Sequence, residues 1–232
     1  MELIFKQYHF DIKTGSINCI MGKGIDLEEF TYACQSIKKI EILIQPVINQ
    51  LLYKDVKREL TSSFNKSNHK NNNIILDALK MVGLNSTYIN RKINSLSSSE
   101  LFLIKLASIL IINPKIIVLE NPTVYLDSKK VNNFLKIIRT IKRRYNKTII
   151  IFSDNSDFVH NISDYIFIIN EKDIISEGNK YDVFNDYKRL KLCHIKPPKI
   201  IEFEQKALKN KNINLGVRDN INDLIKDIYY NK

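Results

Sequence analysis

Short apolar runs that end in clusters of polar residues dominate the hydrophobic pattern of the chain. The clearest run, at residues 116–119, follows Pro114 and ends at Glu120, Asn121 and Pro122. A continuous apolar run of this length predicts a strand that is buried on both faces of a parallel sheet. Further strands are predicted at residues 17–21, 40–44, 148–152, 165–170 and 173–176.

Apolar residues at helical spacing separate most of these predicted strands. The pattern predicts helices at residues 26–39, 74–82 and 128–144, and Gly83 is the stop signal for the second of them. The polar tract at residues 61–73 predicts a loop. Buried strands that alternate with helices are typical of the α/β class.

Polar residues emerge where the strand at residues 116–119 ends. Glu120 and Asn121 follow it directly, and Pro122 breaks the chain after them. Ligands of α/β proteins bind at the carboxyl edge of the sheet, so one interpretation is a binding site. The other is an ordinary core strand that is followed by a proline turn.

A glycine-rich stretch follows the strand at residues 17–21. Lys23 stands between Gly22 and Gly24, and a helical pattern begins at about Asp26. Strand, glycine-rich turn and helix form the setting of a phosphate loop, but no Lys-Ser or Lys-Thr opens this helix. Carboxylates in its first turn, such as Glu28, compete with a phosphate for the positive end of the helix dipole. The residues predict a tight turn, with a phosphate cradle as the alternative.

A serine-rich stretch precedes the most apolar helical pattern of the chain. Ser97 and Glu100 fit the S-x-x-E capping box, in which each side chain satisfies a backbone amide at the other position. A well-capped core helix is therefore one interpretation. In the other, the hydroxyls of Ser97, Ser98 and Ser99 and the free amides at the helix start hold an anion.

Charge and composition narrow the classes of function. The chain has 232 residues, is 44% hydrophobic and carries a formal net charge of +11. The excess lysines are spread along the chain without a basic block that contains aromatic residues, so nucleic-acid binding is not predicted. The scattered cysteines Cys19, Cys34 and Cys193 suit buried thiols in a reducing cytoplasm. The apolar stretch at residues 101–112 falls short of the roughly 20 residues that a membrane span needs.

In their order, these pieces resemble the ATP-binding cassette ATPases across nearly the whole chain. The resemblance rests on Gln45 at a strand end, Ser97 at a helix start, Glu120, Asp127 after Leu126, and a strand that ends at Asp154. A narrower resemblance is to the ATPase subunits of energy-coupling factor transporters, which power vitamin and metal uptake. The tracts at residues 45–56 and 178–228 carry that narrower resemblance.

The resemblance implies a P-loop NTPase-like cassette fold with a mostly parallel sheet. It places an ATPase-like domain at residues 1–180, with a helical subdomain at about residues 53–112. Residues 181–232 correspond to a small C-terminal helical region that dimerises. ATP and Mg²⁺ are the implied cofactors.

Several residues differ from the family pattern at the positions that carry chemistry. Glu120 stands at the position of the aspartate associated with Mg²⁺, where it is a candidate metal ligand, and Asn121 replaces the glutamate that polarises the attacking water. An amide cannot accept the proton, and losing a general base typically costs about 10²–10⁴ in rate. Asp154 replaces the switch histidine and puts a negative charge where the γ-phosphate needs a donor.

The remaining differences concern nucleotide contacts. The signature Leu-Ser-Gly-Gly-Gln reads Leu-Ser-Ser-Ser-Glu at residues 96–100, so side chains and a charge crowd the backbone that approaches the nucleotide. Relative to the family the chain begins late, so the strands that carry the adenine-stacking aromatic residue are expected to be missing, with Tyr8 as a stand-in. Gly22, Lys23 and Gly24 stand at the phosphate loop.

The resemblance implies a peripheral subunit on the cytoplasmic face of the cell membrane whose own ATP site does not turn over. Its expected partners are a second cassette ATPase, a transmembrane coupling subunit and a substrate-binding membrane component. In the family each ATP lies between one subunit's phosphate loop and the other subunit's signature serine, so Ser97 and Asp127 would act on a partner's nucleotide. Two alternatives stay open: a working transporter ATPase with relaxed motifs, and a soluble cassette protein without a transport role.

Overall fold

The computed structural model describes residues 1–34, 40–66, 73–171 and 173–211. Its strands are β1 (Glu2–Phe5), β2 (Tyr8–Asp11), β3 (Ile17–Lys23), β4 (Ile40–Leu43), β5 (Ile116–Glu120), β6 (Thr148–Phe152), β7 (Tyr165–Asn170) and β8 (Asp173–Gly178). Its α-helices are α1 (Leu27–Cys34), α2 (Val56–Lys66), α3 (Ile74–Met81), α4 (Ser98–Ile112), α5 (Ser128–Tyr145), α6 (Ser156–Ile162), α7 (Lys180–Asn185), α8 (Tyr187–Leu192) and α9 (Lys199–Lys211). Within the described ranges, none of the helices combines the length and the hydropathy that crossing a bilayer requires.

Six of the strands form a mostly parallel sheet in the order β4-β5-β6-β3-β7-β8, and β1 and β2 form a separate antiparallel pair. The pairs β4–β5, β5–β6 and β3–β7 are parallel, and β7–β8 is an antiparallel hairpin. Residues 149–151 of β6 are fully buried, as a strand covered on both faces requires. The α/β fold with a mostly parallel sheet is therefore confirmed.

The chain divides into two compact units. The first consists of Met1, residues 13–17 and residues 26–152. The second consists of residues 2–12, residues 18–25 and the chain from residue 153 onward. The domain boundary predicted at residue 180 stays a prediction, and its C-terminal part, residues 212–232, lies outside the described residues.

Aromatic side chains pack between the helices and strands of the first unit. Phe30 of α1 meets Phe152 of β6 edge-on, with ring centroids 5.0 Å apart. Phe102 of α4 and Phe134 of α5 meet in the same way at 5.4 Å. Aromatic pairs of this geometry add about 0.5–1.5 kcal/mol beyond the area that they bury. α4 also packs against α2 and α3, so it is the central helix of this unit.

The second unit is built on β3 and the hairpin β7–β8. Phe10 of β2 lies edge-on against Phe167 of β7, with ring centroids 5.2 Å apart. The short helix α7 packs on the same hairpin. Its side chains Val183 and Phe184 are buried. The predicted hairpin and the short helices after residue 180 are both present.

One loop prediction differs from the structure, and two predicted segments extend beyond the described residues. The tract at residues 61–73 was predicted as a loop, but α2 continues to Lys66 because Val56, Leu60 and Ser63 bury one helical face. Residues 67–72 of that tract lie outside the described residues. The helix predicted at residues 26–39 is α1, and residues 35–39 are likewise outside the described part.

Candidate functional site

The predicted glycine turn is wrong, because β3 continues through Gly22 and Lys23. Lys23 is in register with Asn170 of β7, and its carbonyl accepts a 2.8 Å hydrogen bond from the Glu171 amide. These pairings hold Gly22 and Lys23 in the sheet, whereas a phosphate loop curls its amides around an anion. Three residues then separate Lys23 from the start of α1 at Leu27. The chain therefore has no room here for a phosphate loop.

Close packing accounts for both glycines of this stretch. A Cβ on Gly22 would lie 2.0 Å from the Ile169 carbonyl oxygen, and one on Gly24 would lie 2.5 Å from the Glu171 carbonyl oxygen. Both residues also have positive φ angles, of 109° and 124°. The glycines are thus required by the approach of the neighbouring backbone rather than by a ligand.

A carboxylate already contacts an amide of this stretch. The Gly22 amide donates to Oδ1 of Asp154 over 3.3 Å. Asp154 was identified from the sequence as the residue at the switch-histidine position, and the structure places its negative charge on the backbone of Gly22. A phosphate at the same amide would have to displace this carboxylate.

The start of α1 is also occupied by an acidic side chain. Oδ1 of Asp26 accepts hydrogen bonds from the amides of Glu28 at 2.9 Å and Glu29 at 3.0 Å. An N-cap of this kind satisfies the free amides that could otherwise bind an anion. The competition between first-turn carboxylates and phosphate that the sequence indicated is therefore realised through Asp26.

Glu120 lies at the carboxyl end of β5 and makes a contact within the protein. Its Oε2 accepts a 2.7 Å hydrogen bond from the backbone amide of Gln45. The side-chain amide of Gln45 is buried, and its nitrogen and oxygen have no hydrogen-bond partner among the described residues. No group of three or more His, Cys, Asp or Glu residues that could hold a metal ion occurs among the described residues.

Asn121 follows Glu120 in a left-handed backbone conformation. Its φ is 37°, which asparagine tolerates better than most residues, and its amide donates to the Phe152 carbonyl over 2.8 Å. The position thus has a backbone role in joining β5 to β6. Its side chain supplies an amide in place of a base.

The start of α4 forms the capping box that the sequence predicts. The Ser97 amide donates to Oε2 of Glu100 at 2.8 Å, and the Glu100 amide donates to Oγ of Ser97 at 3.4 Å. Hydrogen bonds from the Tyr88 hydroxyl and from the Ser97 amide hold the pKa of Glu100 below its usual range. Ser97 and Ser98 are exposed, whereas Ser99 is buried.

Sequence reasoning missed Lys130, which joins the starts of α4 and α5. Its Nζ donates to Oγ of Ser99 over 3.0 Å and lies 3.8 Å from Oδ2 of Asp127. Asp127 also caps α5, because its Oδ1 accepts from the Lys130 amide at 2.9 Å. A cation in the first turn after an aspartate cap was the available signal in the sequence.

Sequence reasoning also missed Glu59, which fixes the loop between β4 and α2. This buried carboxylate accepts from the amides of Leu52 at 2.9 Å and Tyr53 at 3.2 Å, and Nζ of Lys105 lies 4.0 Å from it. Lys105 in turn donates to the Gln50 carbonyl over 3.0 Å. The loop is rigidly anchored, yet the side chain of Leu52 is 70% exposed.

Tyr8, named as a stand-in for an adenine-stacking residue, is wrong for that role. Its side chain is 1% exposed and stacks on Phe10 with ring centroids 5.7 Å apart. Its hydroxyl donates to the Glu171 carbonyl. A tyrosine that is buried in the core of the second unit cannot stack on a nucleobase.

Comparisons with known proteins find relatives among the ATP-binding proteins of energy-coupling factor transporters. The chain is 30% identical over 147 residues to the energy-coupling factor transporter ATP-binding protein EcfA2 of Spiroplasma kunkelii, which covers 62% of the chain and 48% of that relative. It is 26% identical over 204 residues to the EcfA2 of Staphylococcus epidermidis, covering 86% of the chain and 71% of the relative. The chain thus spans about half the length of the first of these relatives. No model of a known protein family matches the chain.

The fold has solved counterparts. The structure of cbiO1 from Clostridium perfringens, part of the ABC transporter complex cbiONQ, superposes with a TM-score of 0.68 at 21% identity and covers 88% of the chain and 96% of that protein. At this identity the likeness concerns the fold alone. In sequence the chain is similar to the ATP-binding proteins of energy-coupling factor transporters, and it shares its fold with ATP-binding cassettes, so the resemblance that the motifs indicated is confirmed.

Proposed function

We propose that the chain is a catalytically degenerate ATPase-like subunit of an energy-coupling factor importer that pairs with a competent cassette ATPase. The uptake that the pair energises is that of a vitamin or a metal ion. One observation carries the proposal. Carboxylates of the chain itself accept hydrogen bonds from backbone amides in the region where a nucleotide-binding cassette would hold phosphate. Asp154 accepts from Gly22, Asp26 caps α1 and Glu120 accepts from Gln45.

The chemistry of phosphoryl transfer supports the loss of turnover at the chain's own site. The reaction depends on positioning the triphosphate and on neutralising its charge with backbone amides, lysine and Mg²⁺. Here Lys23 belongs to a strand, and Asn121 has no basic lone pair to accept a proton from water. The chain's own residues at these positions therefore do not fit ATP and Mg²⁺.

The start of α4 is the part of the chain that we propose contacts the partner's nucleotide. Exposed hydroxyls on Ser97 and Ser98 lie at the start of a well-ordered helix. In a head-to-tail pair, ATP and Mg²⁺ would be held by the partner's phosphate loop, and Ser97 and Asp127 would face the nucleotide from this side. The partner is a second cassette of a different chain, because another copy of this chain would lack the phosphate loop as well.

The loop after β4 is the proposed contact for the membrane subunits. It runs from Gln45 to Tyr53, is anchored through Glu59, and exposes the apolar side chains of Ile48 and Leu52. An anchored loop with exposed apolar side chains is suited to contact a transmembrane coupling subunit. That subunit would in turn bind the substrate-binding membrane component. The subunit would then sit peripherally on the cytoplasmic face of the membrane.

The test measures ATP hydrolysis by the partner cassette with and without this chain, and with the variant Ser97→Arg. Ser97→Arg should lower the stimulated rate at least tenfold, because a long cation would fill the space next to the nucleotide. Ser95→Arg is the matched control, since Ser95 is an exposed serine two residues earlier that lies before the helix cap. A partner rate that responds to neither the chain nor the variant would refute the proposal.

A further inference from the structure

Three side chains join the starts of α4 and α5 into one small polar cluster. Lys130 lies at its centre, with Nζ 3.0 Å from Oγ of Ser99 and 3.8 Å from Oδ2 of Asp127. Ser99 is 4% exposed, so one contact of the lysine is with a buried hydroxyl. The lysine side chain itself is 51% exposed and that of Asp127 is 62% exposed. The ammonium group is thus positioned by the protein and accessible to a ligand.

The ion pair with Asp127 does not neutralise this ammonium group firmly. Exposed pairs of this kind contribute little because water and salt screen them. The nearby carboxylate of Glu100 is committed elsewhere, since it accepts hydrogen bonds from the Tyr88 hydroxyl and from the amide and hydroxyl of Ser97. Lys130 can therefore exchange its contact with Asp127 for a contact with a ligand with little loss of free energy.

The chemistry of the cluster fits a terminal phosphate. The ammonium group and the exposed hydroxyl of Ser98 can serve as hydrogen-bond donors to a phosphate, whereas the Ser97 hydroxyl donates to Glu100. Charge-assisted bonds to phosphate oxygens are short and strong. Side chains on Ser98 and Ser99 keep the backbone farther from a nucleotide than glycines would. A lysine on its flexible four-carbon stem reaches beyond them.

We propose that Lys130 contacts the terminal phosphate of the nucleotide held by the partner cassette. The inference rests on the proposed function, because it needs a partner that binds ATP. Lys130 then supplies the positive charge that the altered signature tract cannot bring through its backbone. Its hydrogen bond to Ser99 holds it at the start of α4 until the partner arrives.

The experiment uses the complex of this chain with the cassette ATPase that pairs with it, and Mg-ATP as the probe. Lys130→Ala should raise the KM for ATP about tenfold, because one charge-assisted contact is lost, while the amount of complex recovered stays unchanged. Lys130→Arg should restore most of the affinity because it keeps the charge. Lys129→Ala is the matched control: Lys129 is the exposed preceding lysine of the same helix, and its variant should leave the KM within twofold.

The outcomes separate the two proposals. A complex that forms but has the same KM with Lys130→Ala as with Lys129→Ala would overturn the role of Lys130 alone. Equal losses in Lys130→Ala and Lys130→Arg would also overturn it, since they would indicate a packing role. A chain that forms no complex with any cassette ATPase would overturn the proposed function, and the role of Lys130 with it.

Discussion

The starts of α1 and α4 are capped in the same way but differ in what surrounds them. Asp26 caps α1 three residues after the end of β3. Just before it, Gly22 and Gly24 are closed in by the backbone of Ile169 and Glu171. Glu100 and Ser97 cap α4, yet exposed hydroxyls and a half-exposed lysine remain beside that cap. Both helix starts have an internal anion, but beside the second the exposed hydroxyl of Ser98 and the half-exposed ammonium group of Lys130 are accessible to another molecule.

Under the proposed function, this difference corresponds to a cassette that has lost one half of a nucleotide site and kept the other. At the first start strand pairing holds Gly22 and Lys23 in the sheet, so no single substitution would create a phosphate loop there. At the second the helix, its cap and the donors around it are retained. A subunit of this kind would depend on a partner for the phosphate loop and would contribute from its α4 side.

The largest expected effect concerns nucleotide binding by the isolated chain. Mg-ATP should bind with a Kd weaker than about 1 mM, corresponding to less than about 4 kcal/mol of binding free energy. The reason is that strand pairing of Gly22 and Lys23 leaves no loop to surround the phosphates. Isothermal titration calorimetry, with the competent partner cassette as the control, measures this. Micromolar binding with turnover would instead identify a working ATPase with relaxed motifs.

The next effect concerns the loop after β4, which Glu59 anchors. Glu59→Ala should destabilise the chain by about 3 kcal/mol, because it leaves two loop amides and the largely buried Lys105 without their carboxylate. Urea unfolding measures the change. Asp55→Ala, which removes an N-terminal contact of the same helix at a more exposed position, is the control and should cost about 1 kcal/mol. Equal losses in the two variants would contradict a special role for Glu59.

The sequence predicted the regular elements better than the links between them. The apolar run of β5 and the capping box of α4 are local patterns, and both are present. The continuation of β3 through Gly22 and Lys23 depends on β7, which lies more than 140 residues later in the chain. Glycine and lysine in a short stretch carry no signal for that pairing, so they resembled a turn.

A smaller effect should follow at the start of α1. Asp26→Ala removes the cap from α1 and should cost about 1 kcal/mol of unfolding free energy, whereas Asp26→Asn should retain most of it. Thermal unfolding of the three proteins measures the difference. The same variants should not gain Mg-ATP binding, because the missing loop rather than the carboxylate limits it. A gain of millimolar or tighter binding in Asp26→Ala would show that the carboxylate is the obstacle.

The candidate site could be predicted only in its parts. Ser97, Glu100 and Asp127 were recognised because caps and cassette motifs are short and contiguous. The contacts of Asp154 with Gly22 and of Lys130 with Ser99 join residues 132 and 31 positions apart. Contacts over such separations follow from tertiary packing, and no local pattern in a single sequence specifies them.

The smallest expected effect is the pH dependence of the α4 cap. Hydrogen bonds from Tyr88 and from the Ser97 amide lower the pKa of Glu100 from its ordinary value of 4.5. A carboxyl group with a lower pKa in the folded state stabilises the fold fully above its unfolded pKa, and the contribution is lost as the pH falls through the folded pKa. Wild type should therefore exceed Glu100→Gln by about 1 kcal/mol at pH 7, and the difference should shrink below pH 4.5. Tyr88→Phe keeps the carboxyl group but removes its strongest donor, so its pH-dependent loss of stability should be smaller and should be complete at a higher pH than in wild type. Urea unfolding between pH 3 and pH 7 measures all three proteins, and a difference that stays constant with pH would contradict the role of the ionised carboxylate in the cap.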